Sequence, residues 1–379
     1  MVSPLSHPLS VLFSNRTWTA GALLLVSFGL LLLGAEVFTN GVEWLGRRLG
    51  VSESATGSIL AAMGTALPET TIPVIAILQG GTAAENVGVG AILGAPFMLA
   101  TIAMFLVGAS VYYFADRRVY EEAIHFDERA TERDLSFFLV GYALAFVAAL
   151  VDVPWLRVAI AAVLVGLYLC YLYLSLRSGE LTEEGALDRL HLGRVAERSL
   201  SRVRSDVGDH ANDPHVLLVA VQTLLALALI VAGARLFVDQ VEWVSASALG
   251  VPTAVVALII APVATELPET FNSVLWLSRD KDTLALNNIT GAMAFQGTLP
   301  VTLGILFTTW NLSLGFDTAG FLNGISVVLA IVSALVVLLR VRRVGESTLT
   351  PRPFVLGGLF YLGFLVLTVY VVLTSGLAQ

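Results

Sequence analysis

Two stretches decide how this chain is read: GTALPET at 64–70 and ATELPET at 264–270, 200 positions apart. Each sits inside a long apolar run, so each places a proline and a glutamate where a membrane-crossing helix is normally most apolar. A carboxylate at the centre of such a helix costs about 2.5 to 3.5 kcal/mol on insertion scales, so Glu69 and Glu269 need a compensating partner. Away from their ends, the apolar runs contain one basic residue, Arg235, against these two symmetric acids. A bound cation would balance both. Thr65 and Glu69 are spaced i, i+4 and share one helical face, as do Thr265 and Glu269. Pro68 and Pro268 lack an N–H and crowd the carbonyl four residues back, which is expected to open each helix and free carbonyls near 64–65 and 264–265. Carboxylates beside free carbonyl oxygens suit a hard cation.

Working outward, the likeness continues. GVSESATGSILAAMGTALPET at 50–70 matches GVPTAVVALIIAPVATELPET at 250–270 in 9 of 21 positions. Upstream, AEVF at 35–38 pairs with ARLF at 234–237, and Glu43-Trp44 with Glu242-Trp243. Downstream, AILGA at 91–95 pairs with NITGA at 288–292. The chain is an internal repeat.

Of its 379 residues, 56% are apolar and only 13% charged, about half the charged fraction of a soluble domain. A soluble globule is excluded. Apolar runs near 20–46, 54–78, 86–113, 135–151, 154–176, 215–244, 254–277, 284–309, 319–340 and 353–375 predict ten transmembrane helices in an all-α polytopic membrane protein. Asp152, Val153 and Pro154 separate the fourth from the fifth, since proline starts a helix well and continues one badly. With ten spans the loops alternate sides: 18 basic residues fall on one side and only Arg16 and Arg157 on the other. The positive-inside rule then makes the hydrophilic linker 177–214 cytoplasmic and puts both termini outside. Residues 1–176 form a first five-helix half, with its repeat at about 54–113, and 215–379 a second, with its repeat at about 254–309. Five is odd, so the halves are inverted. The N-terminal MVSPLSHPLSVLF lacks a basic region and predicts no cleaved signal peptide.

The doubled motif resembles the two alpha-repeats of the sodium/calcium exchanger family, within the cation/calcium antiporter superfamily. There the repeat reads roughly G-T-S-x-P-E, and its glutamates and threonine carbonyls hold Ca2+ at the protein centre. The resemblance implies a secondary antiporter of the plasma membrane, exchanging Ca2+ for Na+ or H+ by alternating access, a mechanism to which inverted repeats are suited. It gives Glu69, Glu269, Thr65 and Thr265 the ligand roles. The family serine after the threonine is here Ala66 in one repeat and Glu266 in the other. The polar residue of the family's G-N-x-x-G-S-N helix is Ala91 in the first half, whereas Asn288 is kept in the second. Ala66 and Ala91 remove neutral oxygens that sodium would use, and Glu266 adds a third carboxylate near the same face. Na+ and H+ therefore stand level as the coupling ion, and the metal set is Glu69, Glu269, Thr65, Thr265, Glu266 and Asn288.

Other signals are weaker. GVGAILGA at 88–95 reads as close helix packing, since no strand precedes it. Glu36 and Arg235 occupy symmetry-related places and are expected to pair with each other or with the central acids, a structural ion pair being the favoured reading. Asp206, Asp209, His210, Asp213 and His215 gather in the linker without EF-hand spacing and read as a solvated loop. No histidine lies in the interior of a span, His215 standing at the first position of one, and no HExxH occurs, which speaks against an intramembrane metalloprotease and against an enzyme. Cys170, alone, excludes a disulfide framework. The expected partners are membrane lipid and the transported cations, with no resident cofactor and no nucleic acid. An exchanger of another cation, or a passive cation channel, is the competing reading.

Overall fold

The computed structural model describes residues 15–48, 67–178, 190–191, 216–310, 312, 315, 319–344 and 348–374. Within them the first half comprises α1 (Asn15–Arg48), α2 (Leu67–Gln79), α3 (Thr82–Met98), α4 (Met104–Phe114), α5 (Glu128–Leu150) and α6 (Pro154–Ser178). The second comprises α7 (Val216–Trp243), α8 (Thr253–Leu277), α9 (Asp282–Gln296), α10 (Leu299–Phe307), α11 (Ala319–Val344) and α12 (Arg352–Thr374). Among the described residues, eight stretches are helices long and apolar enough to cross a membrane, and α8, bent by 47° between Leu267 and Glu269, makes a ninth. Pro268, which lacks an N–H, stands at that bend. α2, with 13 residues, is the described part of the run expected over 54–78.

Three details depart from the sequence reading. The run expected as one helix over 284–309 is α9 and α10, broken at Gly297 and Thr298. The run over 86–113 is α3 and α4 joined by a π-helical turn at Leu99–Ala103. The Ala100 carbonyl in that turn accepts from Ser333 Oγ on α11 at 2.5 Å. Finally, the fold is not wholly helical: β1 (Ile124–His125) pairs antiparallel with β2 (Thr348–Leu349). The break between α5 and α6 at residues 151–153 falls where Pro154 places it.

Burial sorts the helices. Between Thr82 and Arg117, 83% of the apolar window is inside, against 28% for α1, α7 and α12 and 22% for α6. α3 and α4 thus form the centre, while the outer helices turn Leu25, Leu224 and Leu359 outward, as a lipid-facing surface requires. Centre and second half meet through the glycines of GVGAILGA. A Cβ on Gly90 would lie 2.8 Å from Leu258 N, and one on Gly94 2.6 Å from Pro262 Cγ, so α3 approaches α8 nearly backbone to backbone. Close helix packing is what those glycines provide. Gly80 and Gly81, with φ of 70° and 87°, turn the chain from α2 into α3, a conformation that favours glycine.

Candidate cation site

Glu69 lies in the first turn of α2, and Glu266 and Glu269 flank the bend of α8. One carboxylate oxygen from each lies within 4.8 Å of the others. Glu69 and Glu266 are buried, at 6% and 0% exposure, and Glu269 is half-buried. Two unit charges 4 Å apart repel by about 4 kcal/mol at an effective dielectric of 20. Three carboxylates gathered away from water therefore need positive charge among them.

The hydrogen bonds leave room for it. Glu266 Oε1 accepts from Thr265 Oγ1 at 3.0 Å and from Gln296 Nε2 at 2.9 Å. Both oxygens of Glu69, Oε2 of Glu266, Oε2 of Glu269 and Oε1 of Gln296 are buried and accept no hydrogen bond. Buried polar atoms are normally paired. Five such oxygens around one cluster of acids are the kind of donor set that an oxygen-ligated cation takes.

The neighbouring polar residues hold the frame. Asn288 Nδ2 on α9 donates to the Glu269 carbonyl at 3.1 Å and to Ser273 Oγ at 3.2 Å. Thr270 Oγ1 donates to the Glu266 carbonyl at 2.8 Å. Of the sequence-derived set, the structure thus brings together Glu69, Glu266, Glu269 and Thr265, and puts Asn288 against the backbone of Glu269. Thr65 and Ala66 lie outside the described residues, as do 206–215 of the linker. Ala91 is buried among apolar side chains. Gln296 was missed by the sequence reading; its signal was a further amide in an apolar run, eight residues after Asn288. Glu36 does not pair with Arg235: it lies 3.7 Å from His191 Nε2, and Arg235 is exposed. Matching positions in two repeats do not bring side chains together unless their helix faces meet.

Over residues 19–177 and 218–374 the chain matches the sequence profile of the sodium/calcium exchanger protein family. The chain belongs to that family. It is a multi-pass integral membrane protein and a cation antiporter. It is 23% identical over 266 residues, 70% of its own length and 74% of the relative's, to an uncharacterised membrane protein of Methanocaldococcus jannaschii. Among solved structures it is similar to the H+/Ca2+ exchanger CAX, with a TM-score of 0.66 and 16% identity, covering 98% of this chain and 92% of that one. It is also similar to the sodium-calcium exchanger NCX_Mj, with a TM-score of 0.52 and 19% identity, covering 92% and 98%. At these identities the likeness is one of fold.

Proposed function

We propose that this exchanger carries Ca2+ against Na+ or H+, and that Glu69, Glu266 and Glu269 hold the ion. The observation that carries the reading is the convergence of both LPET glutamates, 200 positions apart in the sequence, on one cluster of buried acids with unpaired oxygens. Three carboxylates offer at most six oxygens, and the carbonyls of Thr65 and Thr265 add two, within the six to eight that Ca2+ takes. Asn288 and Gln296 set the acids in place from α9. Ca2+ neutralises two of three negative charges; one proton or one Na+ balances the third. Ala66 and Ala91 offer no oxygen to sodium, whereas Glu266 offers a carboxylate that a proton can occupy as Ca2+ departs. A proton is then the simpler partner.

The same reading has ten transmembrane helices in two inverted five-helix halves, 1–176 and 215–379, joined by a cytoplasmic linker at 177–214, with both termini outside the plasma membrane. The basic-residue split supports the orientation. The interval left unmatched by the family profile, 178–217, supports the division. Alternating access about a central site suits such halves.

Reconstitution into vesicles, with Na+ and pH gradients imposed separately, tests it. Ca2+ uptake is expected against an opposing gradient of at least one counter-ion and absent without either. Ca2+ that runs down its own gradient with no counter-ion would mark a channel and overturn the proposal.

A further inference from the structure

α9 meets the site with one face, and its opposite face is held by an acid that the exchange reaction does not use. Asp134, on α5, is 2% exposed inside a helix apolar enough to cross a membrane. Its Oδ2 accepts from Thr290 Oγ1 on α9 at 2.7 Å, and its Oδ1 lies 3.3 Å from Arg133 Nη2. The hydroxyl of Tyr171, on α6, faces the same carboxylate. The Arg133 guanidinium lies 5.7 Å from the centre of the Tyr171 ring. One turn earlier, Thr131 Oγ1 donates to Asn287 Oδ1 on α9 at 3.3 Å. Gly291 allows the close approach: a Cβ there would lie 3.3 Å from the Tyr171 hydroxyl and 3.9 Å from Asp134 Oδ2.

A buried acid in a membrane helix is costly and rare without a task. This one has both oxygens engaged by protein groups, which distinguishes it from the unpaired oxygens of Glu69, and it is no cation ligand. At about 100° per residue, Asn288 and Gln296 fall within about 80° of each other on α9, whereas Thr290 is about 200° round from Asn288. The Asp134 contact is therefore on the back of the helix whose front holds Glu266 and Glu269. α5 belongs to the first half of the chain and α9 to the second.

We propose that Asp134 is a positioning residue for the cation site: by holding Thr290 it fixes the rotation and depth of α9, and through Asn288 and Gln296 the placement of Glu269 and Glu266. The proposal rests on those acids being the cation site. The buried carboxylate gives the latch a stronger hydrogen bond than a neutral acceptor would, since bonds to ionised groups are about twice as strong. Removing Asp134 takes this acceptor from the buried Thr290 hydroxyl, and removing the hydroxyl takes from Asp134 Oδ2 its donor on α9, so the two contribute as a pair.

The test uses full-length protein in vesicles and reads the KM for Ca2+ separately from the maximal rate. Asp134→Ala and Thr290→Val are each expected to raise KM about tenfold, equivalent to about 1.4 kcal/mol. The double variant should be no worse than the weaker single one, and Asp134→Asn, which keeps an oxygen for Thr290, should recover most of the affinity. A Thr290→Val variant with unchanged KM, or an Asp134→Asn variant as impaired as Asp134→Ala, overturns the latch. If the unmodified protein carries no Ca2+, the functional reading falls instead. The latch is then judged by amide hydrogen exchange across 284–296, which should quicken in Thr290→Val and not in Asp134→Asn; unchanged exchange in Thr290→Val overturns it.

Discussion

The two halves bring unequal equipment to the same place. The first half presents Glu69 bare: neither oxygen accepts a hydrogen bond, and its neighbouring helix α3 is lined with glycine and alanine. The second half presents Glu266 and Glu269 within a polar frame of Thr265, Thr270, Ser273, Asn288 and Gln296. An internal repeat thus need not give a symmetric site. The glycines of α3 serve close approach to α8, and the side chains that orient the acids come from α9. One half contributes charge and proximity, and the other contributes charge and orientation.

The sharpest break of this comparison is at the bare acid. Glu69→Gln keeps shape and loses charge, and it forfeits no hydrogen bond seen in the structure. Transport should fall at least about 100-fold, the level expected when a charge-assisted contact worth about 3 kcal/mol is lost, while the amount of folded protein in the membrane stays near normal. Near-normal transport measured by Ca2+ uptake would move the site elsewhere. Glu266→Gln probes the oriented side. It should weaken uptake driven by a pH gradient in sodium-free vesicles by about tenfold, since it removes the carboxylate that a proton occupies.

Smaller effects follow for the frame. Gln296→Leu leaves Glu266 with Thr265 as its remaining side-chain donor, and should raise the KM for Ca2+ about fivefold, the equivalent of one net hydrogen bond of about 1 kcal/mol. The maximal rate should change less. Gly94→Ala should act differently again: the added carbon would meet α8, and overpacking of this kind costs about 1 to 3 kcal/mol. Thermal stability in detergent should drop, with the KM of the surviving protein close to normal. A KM change in Gly94→Ala larger than in Gln296→Leu would erase the division between proximity and orientation.

Much of this was legible in the sequence. Apolar runs place α5, α6 and α12 within a few residues of their ends, with the exception that the run for α5 begins at 135 and puts Asp134 outside it. A single acid next to an apolar run looks like its polar edge; only tertiary packing buries it. The cluster of acids was legible because the motif occurs twice. Gln296 was not, because it stands outside the matched segments and so has no counterpart to mark it. The break at 297–298 was hidden for the opposite reason, since α9 and α10 are apolar on both sides of it and periodicity does not register an interruption. The failure of Glu36 to meet Arg235 has the same root: sequence symmetry fixes position along a helix, whereas contact depends on which faces pack.

The central claim is that the acids of the two repeats form one cation site. Ca2+ titration of the purified protein by calorimetry tests it most directly, with the unmodified chain compared to Glu69→Gln and Glu269→Gln. The account expects one Ca2+ per chain, lost in both variants alike although the residues lie 200 positions apart. Binding that survives in either variant, at unchanged stoichiometry and affinity, would contradict it.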